Sequence, residues 1–202
     1  MDPAPATLRR LTDPADPALA AAEGIYLAAL PPGERKPTAW LRSLPARPEY
    51  RLTVAERTND VLGFAVTFVP PTPSDAALLE YLAVAAGARG GGLGGLLFAD
   101  AAQSAARPLL VEVESTDPDA DRRRAFYARH GCREIVGLDY QLPLPAAPPM
   151  RLMVAGVATV YRDDLSRWLA TVYAEVYRRP RHDPRLAAMV ASLPDWIVFG
   201  NP

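Results

Sequence analysis

Between Arg89 and Gly95 the chain reads Arg-Gly-Gly-Gly-Leu-Gly-Gly, with five glycines in the six positions from Gly90 to Gly95. No side chain shields the backbone N–H groups of such a loop. An apolar run follows from Leu96, so the loop opens onto the N-terminus of a helix, with its unpaired N–H groups and positive dipole end. Together these make a cradle suited to a diphosphate. Ten residues earlier, Glu80 interrupts the apolar stretch Ala77–Val84. A carboxylate there is costly unless it is paired or does chemistry. A carboxylate held at such a position can serve as a general base.

The elements that would carry these groups are legible around them. Ala77–Val84 reads as a strand leading into the glycine turn, and the helix after the turn runs to about Ala106. Ahead of them, Thr7–Leu11 is a short strand. Asp13-Pro-Ala-Asp16-Pro17 starts a helix over Ala18–Leu30, with Asp16 as N-cap and Pro17 at the first helical position. Pro31-Pro-Gly33 stops it, and Thr38–Leu44 is a short helix carrying Trp40. Tyr50–Ala55 and Val61–Val69 form a hairpin about the Thr58-Asn-Asp60 turn. Downstream, Leu109–Glu114 is a strand, Asp119–His130 a helix closed by Gly131, and Cys132–Leu142 and Met150–Tyr161 are strands. Two helices end the chain, Ser166–Arg179 and Pro184–Leu193. The first places Trp168, Leu169, Val172, Tyr173 and Val176 on one face.

Two motifs fit the glycines. Gly90, Gly92 and Gly95 satisfy G-x-G-x-x-G, the dinucleotide fingerprint, with Glu112 or Glu114 about 20 residues on. The context opposes it. In that fold the first glycine follows its strand almost directly, whereas here Ala85 to Arg89 intervene and a hairpin comes first. The second reading is Arg89-x-x-Gly92-x-Gly94, a match to R/Q-x-x-G-x-G/A. With Leu79-Glu-Tyr-Leu-Ala-Val84 before it and Phe126-Tyr-Ala-Arg-His-Gly131 after it, the chain resembles the GNAT acetyltransferase superfamily over about residues 7–160.

The resemblance implies a mixed α/β fold, a central and mostly antiparallel sheet flanked by helices. Residues 1–161 would form the acetyltransferase domain and 162–202 a helical extension. It implies acetyl-CoA as co-substrate and no metal. The diphosphate would lie on Arg89, Gly90, Gly91, Gly92, Leu93, Gly94 and Gly95. The pantetheine arm would pair with the main chain of Leu82, Ala83 and Val84, as an added strand does, and the last of these N–H groups would hold the thioester carbonyl. Tyr127 occupies the place where many members carry the acid that protonates the departing thiolate, and Glu80 the place of a base. Glu112 and Glu114 are reserve candidates for recognising the acceptor amine. One departure concerns the helix before Tyr127: where many members have Asn and Ala, this chain has Ala120 and Arg123. Asp117 or Asp119 would have to substitute. Arg122 to Arg124 read as a solvated face, the alternative being that one of them contacts the 3′-phosphate of CoA.

Composition narrows the function classes. The chain of 202 residues has a net charge of −1, which provides no electrostatic footprint for nucleic acid or an anionic membrane. That also counts against an acetyltransferase acting on charged tRNA. Lys36 is the only lysine, which with abundant Ala and Pro fits a high-GC bacterial coding bias. The single Cys132 excludes an intrachain disulfide and reads as the start of a buried strand. His130 and His182 lack metal-ligand company. No signal-like start and no apolar run of about 18 residues is present, so a cytoplasmic protein is expected. The leading expectation is an N-acetyltransferase acting by direct attack of a primary amine, small-molecule or peptide. The alternative is a non-catalytic CoA-binding sensor or partner-binding module. The apolar tail (Trp168, Tyr173, Tyr177, Trp196, Ile197, Val198 and Phe199) must pack over the same chain's sheet or onto a second copy in a homodimer.

Overall fold

The computed structural model describes residues 5–116, 118–144 and 147–199. The chain is mixed α/β, with mostly antiparallel strand pairing and flanking helices. It forms two compact units, one of Met1–Val69 with Leu79–Ala105, the other of Pro70–Leu78 with Ala106–Pro202.

In the first unit, β1 (Thr7–Leu11) pairs antiparallel with β2 (Tyr50–Arg57), and β2 with β3 (Asp60–Phe68). The hairpin turns on Thr58 and Asn59, with φ of 50° and 71°, the positive values that match the right-handed strand twist. Next to β3 lies β4 (Ala77–Val84), of which Leu79 onward belongs to this unit. Alternation along β2 and β3 puts Leu52, Val54, Phe64, Val66 and Phe68 into the core. Helix α1 (Ala18–Ala29) contributes Leu19, Ala22 and Tyr26, and α3 (Leu93–Ala105) contributes Leu97, Phe98 and Ala101. Each large side chain so buried contributes about 1.5–3 kcal/mol. The helix starts one residue later than expected, with Pro17 at the N-cap; Asp16, just before it, accepts from the Ala18 N–H at 2.9 Å. A short helix α2 (Thr38–Ser43) carries Trp40.

In the second unit, β5 (Leu109–Glu114) pairs antiparallel with β7 (Met150–Ala155), whose other side holds the two-residue β6 (Arg133–Glu134). Helix α4 (Ala120–Arg129) precedes β6 and packs on β5. A separate ribbon joins β8 (Thr159–Tyr161) to β9 (Trp196–Val198), with α5 (Arg162–Glu175) and α6 (Pro184–Val190) between them in sequence.

Three expectations are corrected here. The strand expected over Cys132–Leu142 is only Arg133–Glu134, because the chain turns where Leu138 N–H bonds Ile135 and Gly137 takes φ +85°. The strand expected over Met150–Tyr161 breaks at Gly156, φ +87°, and its far end pairs with the tail. The first tail helix begins at Arg162, with Asp163 and Asp164 in its first turn, where the dipole favours carboxylates, and it ends at Glu175.

The tail is bound to its unit by polar contacts that the apolar pattern did not reveal. Asp75 is buried and accepts from Thr171 Oγ1 at 2.9 Å and from Arg167 Nε at 3.0 Å. The Trp168 indole donates to Ser74 carbonyl at 2.9 Å. Trp168, Leu169, Val172, Tyr173, Ile197 and Phe199 are all buried within this unit, while Tyr161, Trp196 and Val198 stay exposed.

Candidate active site

The glycine loop folds as its composition requires. Ala86–Ala88 form one 3₁₀ turn after β4, and Arg89 lies back along the strand end, its Nε donating to the Val84 carbonyl at 3.3 Å. Gly90 and Gly92 then take φ of +82° and +78°, the left-handed region where a side chain is strained. A Cβ at either would meet nothing within 4 Å, so conformation rather than crowding demands glycine there. The first i→i−4 bond of α3 runs from Leu96 N–H to Gly92 carbonyl at 3.1 Å. The N–H groups of Leu93, Gly94 and Gly95 therefore sit in the turn that a helix cannot pair internally. Next to this turn is a cavity of about 270 Å³ lined by Val84, Ala85, Ala86 and Arg89 and by the small residues Ala21, Gly24, Ala28 and Ala29 of α1.

Glu80, on β4, has a side chain only 4% exposed. One carboxylate oxygen, Oε2, is paired with the Lys36 ammonium, and the other, Oε1, is buried without a hydrogen-bond partner. Aromatic rings surround the pair. Lys36 Nζ lies 4.4 Å from the centre of the Trp40 ring, a cation–π contact. Trp40 packs edge-on against Tyr50 at 5.8 Å and Tyr81 at 5.7 Å, and Tyr81 against Tyr26 at 5.2 Å. Burial first, then the charge of Glu80, push the Tyr50 hydroxyl pKa upward. The Tyr81 hydroxyl is likewise raised mainly by burial, and it donates to Glu34 carbonyl at 3.0 Å. Strict alternation would send Glu80 and Tyr81 to opposite faces. Instead their long side chains both reach the segment 34–40, and the sequence had no signal for Lys36 as the partner.

The remaining candidates lie in the second unit. Tyr127, on α4, is half-buried, and burial raises its hydroxyl pKa, so the phenol keeps its proton. Cys132 N–H bonds the Tyr127 carbonyl at 3.0 Å, which fixes the helix end. The Cys132 thiol is buried and pushed up to about 12 by desolvation, so it is inert as a nucleophile. Glu112 accepts from the Tyr140 hydroxyl and from the Tyr177 hydroxyl at 2.5 Å. Two tyrosines thus hold this reserve carboxylate. Glu114 accepts from Thr116 at 3.2 Å. Of the residues proposed to replace the missing asparagine, Asp119 is engaged by Arg122 at 3.0 Å, and Asp117 lies outside the described residues. Arg124 is held by Asp121 at 2.7 Å. A second cavity of about 710 Å³, not foreseen from sequence, is bounded by Tyr140, Gln141, Met150, Arg151 and Arg185 among others.

Among the described residues no cluster of three or more His, Cys, Asp or Glu can hold a metal ion, and no helix is long and apolar enough to cross a membrane.

Comparison with known proteins now bears on this arrangement. No curated protein sequence matches the chain. Among solved structures, a putative GNAT acetyltransferase from Bacteroides thetaiotaomicron superposes with a TM-score of 0.70 at 22% identity, covering 85% of this chain and 98% of its own. The ribosomal-protein-S18-alanine N-acetyltransferase from Escherichia coli gives 0.56 at 21% identity, covering 74% and 92%. An aminoglycoside 6'-N-acetyltransferase complexed with coenzyme A gives 0.56 at 16% identity, covering 73% and 95%. At these identities the likeness establishes the fold. The family model of the acetyltransferase (GNAT) family matches residues 20–132, more than half of the chain, from within α1 through the glycine cradle to Cys132; the chain belongs to that family.

Proposed function

We propose that the protein is an N-acetyltransferase that moves the acetyl group of acetyl-CoA to a primary amine by direct attack. The observation that carries this reading is the glycine cradle, with its left-handed Gly90 and Gly92 at the start of α3 and a cavity walled by small residues beside it. The residues fit the co-substrate. The N–H groups of the Gly90–Gly95 loop and the helix dipole suit a diphosphate, and Arg89 adds a cation. Leu82, Ala83 and Val84 offer main-chain groups to the amide-rich arm. When bound, acetyl-CoA supplies an activated acyl group. This chain's own residues then orient it and manage protons. Glu80 takes a proton from the acceptor ammonium. Tyr127, protonated because its hydroxyl is buried, plays the part of acid toward the leaving thiolate.

One observation favours the alternative of a non-catalytic CoA sensor: Glu80 is already tied to Lys36. Calorimetry with CoA and NAD, followed by thiol release from acetyl-CoA against a panel of primary amines, separates the readings. Binding of CoA but not NAD, with amine-dependent release, supports the enzyme. Binding with no release for any amine supports the sensor, and binding of NAD alone removes both. A cytoplasmic setting and a homodimer through the exposed Tyr161, Trp196 and Val198 belong to the same proposal. Light scattering tests the latter.

A further inference from the structure

The segment 34–40 places an ammonium where an acceptor amine is needed. Lys36 Nζ is paired with the buried carboxylate of Glu80 and lies against the Trp40 ring. Resting on the reading above, Glu80 is the base that an acceptor must meet, and Glu80 precedes Leu82 on the same strand by two positions, about 7 Å of strand length. Glu80 and Leu82 share a face of that strand, and Leu82 is the first of the three residues proposed to pair with the arm that carries the acyl group. A primary alkylamine, its base and the acyl donor's path therefore converge in one unit of the chain.

The choice of residue fits the same conclusion. Lysine occurs once, at position 36, in a chain whose other basic side chains are arginines. An ion pair alone would be served as well, or better, by arginine's fork of donors. Only lysine can lose its proton and become a nucleophile. The carboxylate that would take that proton is already in contact with Lys36 Nζ. The Lys36 side chain is 24% exposed and Glu80 4%, so the pair is sheltered but the amine is not sealed in.

We propose that Lys36 is a self-acetylation site: the enzyme transfers an acetyl group from its own acetyl-CoA to Lys36 Nζ. The Lys36 ammonium gives one proton to Glu80, which passes it to water. The neutral nitrogen attacks the thioester carbonyl carbon, the C–N bond forms and the C–S bond breaks. The electron pair leaves on sulfur, and the second nitrogen proton ends on the thiol. The products are N-acetyl-lysine and free CoA. The amide carries no charge, so the ion pair is abolished and Glu80 is released to meet an external ammonium. In this state the modified chain is the better catalyst.

The test uses the full chain with acetyl-CoA and no added amine, read by intact mass and peptide mapping. The expected result is a single acetyl group on Lys36, formed at a rate independent of protein concentration, as a reaction within one chain must be. The rate should exceed that of the urea-unfolded chain by at least about 10²-fold, the usual worth of a positioned base. Lys36→Arg should lose the mark. Glu80→Gln should slow it about 10²-fold or more while the chain still melts cooperatively. Calorimetric binding of CoA with Lys36 acetylated no faster than in urea would overturn this proposal and leave the CoA reading standing. Absence of CoA binding would overturn both. A mark that forms at a rate proportional to protein concentration would also refute transfer within the chain.

Discussion

The three consecutive glycines of the cradle differ in a way that a mutation series can read. Gly90 and Gly92 have φ of +82° and +78°, whereas Gly91 has ordinary backbone geometry, and a Cβ there would meet its nearest neighbour, the Ala88 carbonyl, at 3.7 Å. All three are exposed. An L-residue held in the left-handed region costs about 1–2 kcal/mol. Without ligand, an exposed loop can relax out of that conformation, so Gly92→Ala should barely change Tm. When CoA binds, the loop must return to it, and the cost then falls on affinity. At about 1.4 kcal/mol per tenfold, Gly92→Ala should weaken CoA roughly 5–30-fold, and Gly90→Ala by a similar factor. Gly91→Ala meets no clash and no strain, and it narrows the unfolded ensemble. It should leave the Kd within about twofold and Tm equal or slightly higher. Gly92→Asp adds a carboxylate where the diphosphate approaches and should abolish binding. Calorimetry with CoA on the four variants, each checked by thermal melting, is the assay. Loss of affinity in Gly91→Ala equal to that in Gly92→Ala would refute the conformational account and point to crowding of the ligand. An unaffected Gly92→Ala would mean that CoA does not bind this loop in the observed geometry.

Tyr127→Phe should lower kcat by roughly 10²–10⁴-fold with little change in CoA affinity; steady-state kinetics with an active amine, beside calorimetry, checks both halves. Cys132, pushed up to about 12, should be nearly all thiol at pH 8. Its raised pKa favours the folded state below the ordinary thiol pKa, and that contribution is lost as pH rises toward 12. Native protein at pH 8 should therefore resist iodoacetamide, and unfolded protein should react readily. Asp75→Ala removes the acceptor of the buried Thr171 hydroxyl and one partner of the half-exposed Arg167, which keeps Asp164 and the Ser74 carbonyl; it should lower Tm by about 2–5 °C without altering CoA affinity.

The local signals were strong wherever one residue's chemistry determined the backbone. Asp16-Pro17 marked the start of α1, Thr58-Asn59 the hairpin, and the glycines a loop that takes two positive φ angles within three residues without a side chain to strain. The failures came where pairing partners are remote. Cys132–Leu142 has the apolar content of a strand, but its turn at Ile135–Leu138 leaves just two residues on β7. The end of Met150–Tyr161 pairs with β9, some 36 residues on, and hydrophobic periodicity carries no information about which strand a segment will find. Nothing in the sequence around Asp75, just after Pro70-Pro-Thr-Pro73, marks it for burial. Its burial follows from α5, whose apolar face was legible but whose landing place was not.

The same limit explains the most consequential miss at the candidate site. Glu80 declared itself as a carboxylate in an apolar strand, and two accounts stood open for it, a base or an ion pair. Periodicity fixed its strand but not its neighbour, because Lys36 lies 44 residues away on a proline-rich connection without a pattern of its own. With the neighbour known, the two accounts cease to compete. An ammonium resting on a general base is both an ion pair and the ground state of a proton transfer. Which description governs depends on whether an acyl group comes within reach of the nitrogen. If the pair were only structural, Lys36→Arg would preserve it with a guanidinium, and CoA-dependent chemistry would be unchanged. If Lys36 is an acceptor, the arginine variant keeps the charge at Glu80 permanently, because no acetylation can remove it. External amines should then compete poorly for that carboxylate, raising KM, while Lys36→Met, which removes the charge at similar length, should lower it. Opposite movements of KM in these two variants would mark Lys36 as the occupant that an acceptor must displace. Equal KM values in both would leave it as a structural cation.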